Sequence, residues 1–282
     1  MAATDIRPMS LGEVLDRTFS LYKNNFLLLT GILAVPMLIK FVFAVGIEWY
    51  QRASLAGVAA RPGARSQFFV GVILASIGAG LIDFVLRSAS QGGTIIAVSE
   101  IYLGRKPTVA GSYRPVMQKL WSLIGLILLT ALMCGAGFVF LIIPGILLLV
   151  KTAMTTNVLM LEDETVGGSI SRSWDLTKEF GLQIFLIFVL VFVIGMVVSA
   201  VLVTPITVAI GIMKLKTVPM WMAVLQHLAT FLAEVLVGPI GTIAMCLMYY
   251  NLRVRKEAFD LQHLMTSLEL PANPASNAPS VA

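Results

Sequence analysis

The sequence GLQIFLIFVLVFVIGMVVSAVLVTPITVAIGIM occupies residues 181–213 and contains no charged side chain. In an α-helix about 20 apolar residues rise about 30 Å, which is the thickness of the hydrocarbon core of a bilayer. The whole chain shares this character, because 58% of its residues are hydrophobic and only 12% are charged. The apolar runs are continuous, whereas a membrane β-barrel would need short segments of alternating polarity. The stretch therefore predicts a transmembrane helix.

Further apolar runs of this kind lie on both sides of residues 181–213, and together they predict an all-α integral membrane protein with six transmembrane helices. We expect one polytopic membrane domain over residues 1–265, followed by a disordered tail at 266–282 that is rich in Pro, Asn, Ser and Ala. The predicted spans cover about residues 26–47, 68–88, 120–140, 146–161, 181–205 and 221–250. We place a turn at Ile143-Pro144-Gly145 and an interruption of the sixth span at Gly238-Pro239-Ile240-Gly241.

A short amphipathic segment recurs in front of these spans. SLGEVLDRTFSLYK at residues 10–23 and VGGSISRSWDLTK at 166–178 match in the placement of Gly, Arg, Leu and Lys. Ser10 followed by Glu13 is a capping box, which predicts a helix start near Leu11. We expect interfacial helices at about 10–24, 108–119 and 165–180, lying in the headgroup plane. The fold is then three amphipathic-helix-plus-hairpin units.

The basic residues indicate how the chain is oriented. Most of the 20 Lys and Arg residues fall on the side that holds both termini, so the positive-inside rule predicts that both termini are cytoplasmic. The net charge of +5 predicts contact with membrane lipids and not with nucleic acid, because the basic residues border apolar runs. Protein partners in the membrane are a second expected class. The expected interfacial cations are Arg17, Lys23, Arg172, Lys178, Arg253 and Arg255.

Ionisable residues inside the spans are the candidate ligand or lipid site, because each costs free energy in the bilayer. They are Lys40, Lys151 and Glu234, with His227 two turns before Glu234. One interpretation is a polar pathway or a site for an anionic headgroup. The alternative is snorkelling lysines and a structural ion pair. Asp83 and Arg87, four residues apart, are interpreted as a local pair near the inner face.

The sequence contains none of the catalytic or metal-binding motifs that we considered. It contains no His-Glu-x-x-His, no Gly-x-Ser-x-Gly and no phosphate-binding loop. Cys134 and Cys246 both lie in apolar runs and are interpreted as small buried hydrophobes. We therefore expect no catalytic residue, no metal site and no cofactor. An intramembrane enzyme would need His227 and Glu234 beside a nucleophile or a metal.

Four motifs together resemble a known family. They are RPMSLGEVLDR at 7–17, Pro144-Gly145, SRSW at 171–174 and YYNLRVRKEAFDL at 249–261. The sequence resembles the glycerophosphoryl diester phosphodiesterase membrane domain family of bacterial membrane proteins in these motifs. The resemblance covers about residues 7 to 265 and implies a bacterial inner (plasma) membrane protein. In some relatives this domain precedes a soluble phosphodiesterase domain, whose catalytic residues have no counterpart here. The resemblance therefore implies a stand-alone membrane domain without a catalytic role.

We expect the function to be that of a non-catalytic scaffold or accessory protein for lipid or envelope processes. The alternative is a small transporter or lipid-handling protein that uses the buried polar residues of the helix bundle.

Overall fold

The computed structural model describes residues 8–59, 64–162, 164–213 and 218–269. Within these residues every regular element is an α-helix, and six segments are long and apolar enough to cross a membrane. These segments are Phe26–Ser54, Phe68–Tyr102, Leu120–Phe140, Ile142–Leu161, Gly181–Leu202 and Met220–Glu257. The prediction of an all-α, six-span membrane protein is confirmed.

The helices follow one another with short connections. In chain order they are α1 (Leu11–Asn24), α2 (Phe26–Ala59), α3 (Ala64–Tyr102), α4 (Val109–Gln118), α5 (Leu120–Phe140), α6 (Ile142–Lys151), α7 (Thr155–Leu161), α8 (Val166–Thr177), α9 (Gly181–Leu202), α10 (Thr204–Ile212) and α11 (Met220–Glu269). The last residues of α11 fall in the segment for which the sequence predicted a disordered tail, and residues 270–282 of that prediction lie outside the described residues.

The three short amphipathic helices α1, α4 and α8 each begin at a hydroxyl side chain that caps a backbone N–H. Ser10 accepts from the amide of Glu13, and the Glu13 carboxylate accepts from the amide of Ser10 at 2.7 Å, so the predicted capping box is confirmed. Thr108 and Thr165 cap α4 and α8 in the same way. Each cap satisfies a backbone donor that would otherwise lack a partner in the first turn.

The apolar face of α1 is covered by protein. Val14, Thr18 and Leu21 are buried, and α1 packs mainly against α11. The placement of α1 in the headgroup plane stays a prediction. The structure adds α11 as the partner of its apolar face, which a single amphipathic pattern cannot identify.

Hydrogen bonds fasten both ends of α1 to α11. The Asn251 side chain accepts from the Met9 amide at 2.8 Å and donates to the Met9 carbonyl at 3.0 Å. The Tyr22 hydroxyl donates to the Leu236 carbonyl at 2.8 Å. Asn251 and Leu236 are about 22 Å apart at 1.5 Å per residue, so α1 follows α11 along much of its own length.

The predicted interruption of the sixth span at residues 238–241 is wrong. α11 is one helix from Met220 to Glu269 with Pro239 inside it. A proline removes one intrahelical hydrogen bond, and neighbouring helices hold the segment in place. A side chain on Gly238 would collide with Leu33 of α2, and one on Gly241 would lie 3.1 Å from Val191 of α9. The two glycines therefore allow close helix packing and not a break.

The interruption occurs instead in the fourth span, between α6 and α7. Residues 152–154 form a turn, and Ser173 of α8 repairs it. The Ser173 hydroxyl donates to the Lys151 carbonyl at 2.7 Å and accepts from the Met154 amide at 3.2 Å. A neighbouring side chain thus satisfies backbone groups that the broken helix leaves free. The preceding turn also differs from the prediction, because it lies at Leu141 and α6 already includes Pro144.

Two further span boundaries differ from the sequence interpretation. The second span continues as one helix past residue 88 to Tyr102. The fifth ends at Leu202, and α10 begins at Thr204 with Pro205 in its first turn. Proline is favourable there because its missing N–H would have no helical partner.

The buried core lies toward the end of the bundle that holds α1, α4 and α8, whereas the opposite halves of the spans expose apolar side chains. Val14, Ile95 and Leu247 belong to one buried cluster, and Ile184 and Met248 to a second. Beyond them the helices present exposed apolar surfaces; examples are Leu74, Leu132, Val139, Phe192 and Val201. In a membrane protein such surfaces face lipid. Grooves open between these helices.

Close crossing of α5 and α6 depends on glycine. Gly137 is buried in α5, and a side chain there would lie 3.0 Å from the backbone of Gly145 in α6. A side chain on Gly145 would collide with the ring of Phe138. Two backbones approach closely at this crossing because both positions lack a Cβ.

Candidate functional site: an ionic ring inside the spans

Four charged side chains from three helices form a closed ring. Lys40 of α2 donates to both carboxylate oxygens of Glu234 in α11, at 2.8 and 2.9 Å. Arg87 of α3 donates to Glu234 at 2.6 Å and to Asp83 at 2.9 Å. Lys40 also lies 3.2 Å from Asp83, which closes the ring. Each cation contacts both carboxylates.

Two positive and two negative groups give the ring no net formal charge. The ring lies well inside the spans, because Lys40 is about 21 Å along α2 from Phe26 at 1.5 Å per residue. An isolated charge at such a depth costs several kcal/mol, whereas paired charges compensate one another. The side chains are partly exposed, from 24% for Glu234 to 49% for Arg87. The ring is therefore a paired cluster that still presents polar atoms to its surroundings.

A groove of about 520 Å³ leads to this ring. α11 lines it together with α2 and α9, and Arg87 and Glu234 are its charged residues. The rest of the lining is mainly apolar, with Met37, Phe192 and Met196 among the larger side chains. The groove thus combines a mainly apolar surface with one pair of opposite charges.

The structure brings together two of the four predicted site residues directly and a third nearby. Lys40 and Glu234 are ion-paired. His227 lines a cavity of about 30 Å³ with both of them, which is about the volume of one water molecule. Lys151 lies elsewhere, with its ammonium 5.4 Å from the centre of the Trp174 ring. A cation over an aromatic face is a favourable arrangement, and this one lies outside the ionic ring.

Asp83 and Arg87 are site residues whose role the sequence interpretation missed. It treated them as a local pair near the inner face, at a depth different from that of Lys40. The pair does exist, but it lies at the level of Lys40 and Glu234. Two acidic and two basic residues within apolar spans were a signal that all four pair with one another.

The expected interfacial cations mostly contact protein groups. Arg172 bridges Glu162 and Glu257, at 3.5 and 3.1 Å, and Arg253 donates to Glu257 at 2.7 Å. These contacts join α8 to the end of α11. The others have these placements: Arg17 stacks over the Tyr102 ring, Arg255 donates to the Met9 carbonyl, Lys178 pairs with Asp175, and Lys23 lies in the last turn of α1.

Among the described residues no group of His, Cys, Asp and Glu is arranged to hold a metal ion. Cys246 is fully buried and Cys134 is half-buried, and both are free thiols. The ring itself has the composition of an ion-pair network: its carboxylates are already engaged by Lys40 and Arg87.

Comparison with known proteins identifies a family but no function. The family described as "Domain of unknown function (DUF7847)" matches residues 67–252, which include Asp83, Arg87 and Glu234. Searches of curated proteins and of solved structures give no match. Because the match covers well over half of the chain, the protein belongs to the DUF7847 family.

Proposed function

We propose that this protein is a non-catalytic membrane protein that binds a phospholipid in the groove beside the ionic ring, as an accessory to lipid or envelope processes. The observation that carries the proposal is the groove of about 520 Å³ with mainly apolar walls that include Arg87 and Glu234. Lipid-binding sites need this combination, since an acyl chain requires apolar surface and a headgroup requires polar partners.

The charges in the groove favour a zwitterionic lipid with a primary amine. The half-exposed Arg87 guanidinium has the planar donor geometry that suits a phosphate. Glu234 is the carboxylate beside it and suits an ammonium group. An anionic lipid would gain the first contact but would add a net negative charge to a ring whose own charges cancel, whereas a zwitterionic lipid adds none. We therefore expect phosphatidylethanolamine to bind more tightly than phosphatidylglycerol.

A matched pair of tryptophan variants tests the groove without touching the ring. Ser199 lines the groove, whereas Val197 lies on the same helix, is exposed and lines none of the described cavities. Ser199→Trp should reduce the phosphatidylethanolamine retained by the purified protein in native mass spectrometry, and Val197→Trp should not. Equal retention in both variants, or a preference for phosphatidylglycerol, would contradict the proposal.

We place the protein in a bacterial plasma membrane with both termini in the cytoplasm. The excess of basic residues on the terminal side supports this orientation, and the resemblance to the glycerophosphoryl diester phosphodiesterase membrane domain family supports the location. Phosphatase and fluorescent-protein fusions at each terminus distinguish the two sides. Alkaline phosphatase activity at either terminus would contradict the orientation.

The proposal includes the absence of catalysis. It is supported by the engagement of both ring carboxylates in ion pairs and by the lack of a recognisable catalytic motif in the sequence. Purified protein should not hydrolyse glycerophosphodiesters above the level of a buffer control. Robust turnover that a point substitution abolishes would refute this part.

A second candidate function is transport of a small solute. The observation that favours it is the interruption of the fourth span at residues 152–154, because discontinuous helices surround substrate sites in many transporters. Solute flux into proteoliposomes, compared with protein-free liposomes, tests this candidate. Binding of lipid without any solute flux would favour the first function.

A further inference from the structure

A second cavity, of about 450 Å³, lies beside the interruption of the fourth span. Residues of α3, α5, α6, α7, α9 and α11 line it, and it shares only Gly238 with the lipid groove. Its volume falls in the range of small-molecule sites, about 300–1,000 Å³. None of the described residues that line it carries a charge, and several polar side chains stand among a mainly apolar lining. The cavity is therefore suited to an uncharged ligand that has both hydroxyl groups and a carbon backbone.

The threonines of this cavity present hydrogen-bond acceptors. The hydroxyl of Thr130 donates to the Leu126 carbonyl at 2.9 Å, that of Thr152 to Leu148 at 2.8 Å, and that of Thr155 to Thr152 at 2.8 Å. A hydroxyl has one proton and two lone pairs, so a threonine that gives its proton to a main-chain carbonyl can only accept from a ligand. The Thr152 oxygen also lies 3.6 Å from the Cys134 sulfur, so one of its lone pairs is already engaged. The three threonines still add acceptors to the wall.

Asn157 supplies a further acceptor that has no partner. Asn157 is one of the lining residues and is 2% exposed, and its buried Oδ1 atom makes no hydrogen bond within the described structure. Its amide nitrogen lies 4.0 Å from the Met154 sulfur, a weak contact that favours this orientation of the amide. A buried carbonyl oxygen without a donor is costly. A donor from a bound molecule would remove that cost.

We propose that this cavity binds a small uncharged polyol. Each hydroxyl of a polyol offers a donor to the threonine oxygens and to Asn157 Oδ1, and its own oxygens can accept from the amide groups of Asn157 and Gln91. An ammonium ion would also donate, but the lining has no carboxylate to compensate its charge. An anion would face the same acceptors and be repelled. The inference concerns a separate cavity and does not rest on the lipid groove.

Saturation-transfer difference NMR on the full-length protein in detergent micelles tests the site, with erythritol as the probe. This method detects weak binding directly, which matters because polyols also stabilise proteins by exclusion from their surface. Erythritol should receive saturation from the wild-type protein and not from empty micelles. Methylammonium and inorganic phosphate serve as charged probes and should receive none.

Two threonine variants form the matched control. Thr155 lines the cavity, whereas Thr94 does not, yet both are buried and both donate their hydroxyl to a main-chain carbonyl at 2.8 Å. Thr155→Val should weaken erythritol binding about fivefold, the factor expected for one lost hydrogen bond, and Thr94→Val should leave it unchanged. Asn157→Leu should abolish it. The inference is overturned if erythritol receives no saturation from the wild type, if both threonine variants bind equally, or if a charged probe binds instead.

Discussion

We expect the four charged side chains of the ionic ring to stabilise the fold only when all of them are paired. In Glu234→Gln the amide nitrogen cannot accept the second hydrogen bond from Lys40, and the amide oxygen accepts from Lys40 and Arg87 without the negative charge of the carboxylate. The remaining ring has one carboxylate for two cations. Charge-assisted hydrogen bonds contribute about 1.5–3 kcal/mol each, and an unpaired charge within a span costs about 2.5–3.5 kcal/mol. Because Arg87 is half-exposed, we take the low end and expect a loss of about 2–3 kcal/mol in the free energy of unfolding.

A double substitution measures how strongly the contributions of Lys40 and Glu234 to stability depend on each other. Lys40→Met alone leaves two carboxylates for Arg87 and should cost about as much as Glu234→Gln. The double variant restores neutrality, because Asp83 and Arg87 remain paired at 2.9 Å. We expect it to lose about 2–3 kcal/mol as well, so that the coupling energy between Lys40 and Glu234 is also about 2–3 kcal/mol.

Equilibrium unfolding in mixed micelles measures these free energies. Glu48→Gln is the control, because it removes an i,i+4 contact with Arg52 toward the other end of α2 and should cost less than about 1 kcal/mol. The reasoning is refuted if the losses of Lys40→Met and Glu234→Gln add to within about 0.5 kcal/mol in the double variant.

Three further outcomes follow from single contacts. Gly145→Ala places a methyl group against a phenylalanine ring of α5 and should lower stability by about 1–3 kcal/mol in thermal unfolding, whereas Gly135→Ala, with no atom within 4 Å, should be nearly neutral. Asn251→Ala leaves the buried Met9 amide without a partner; it should cost about 2 kcal/mol and speed amide hydrogen exchange at residue 9. Burial raises the pKa of Tyr113 to about 12, so stability that is present below about pH 10 should be lost as the pH rises toward 12. A phenolate absorbance titration should lack that transition in Tyr113→Phe, and an unchanged titration would contradict the assignment.

Much of the architecture can be read from the sequence because hydropathy and capping are local properties. A run such as residues 181–202 is apolar throughout and becomes a helix of 22 residues, α9. Ser10 and Glu13 are three residues apart and form their cap without help from the rest of the chain. Even the pairing of Asp83 with Arg87 follows from helical spacing.

Breaks in the spans could not be read in the same way. The glycines and proline near residue 239 suggested a break, but α2 and α9 pack against that segment and it stays helical. The fourth span carries no such signal at residues 152–154, yet it turns there because Ser173 of another helix satisfies the free backbone groups. Whether a backbone group can leave its helix depends on which neighbour reaches it.

The amino-acid sequence by itself determined that this chain is a six-span helical membrane protein with charged residues inside its spans. Only the tertiary structure decided which of those charges meet. Lys40 and Glu234 are 194 residues apart, and their contact depends on how far α2 and α11 are displaced along their axes. That displacement is set by packing, such as Leu33 against Gly238, and no local pattern encodes it. The same packing places Lys151 outside the site and Asp83 and Arg87 inside it, because ion pairs form between side chains at equal depth.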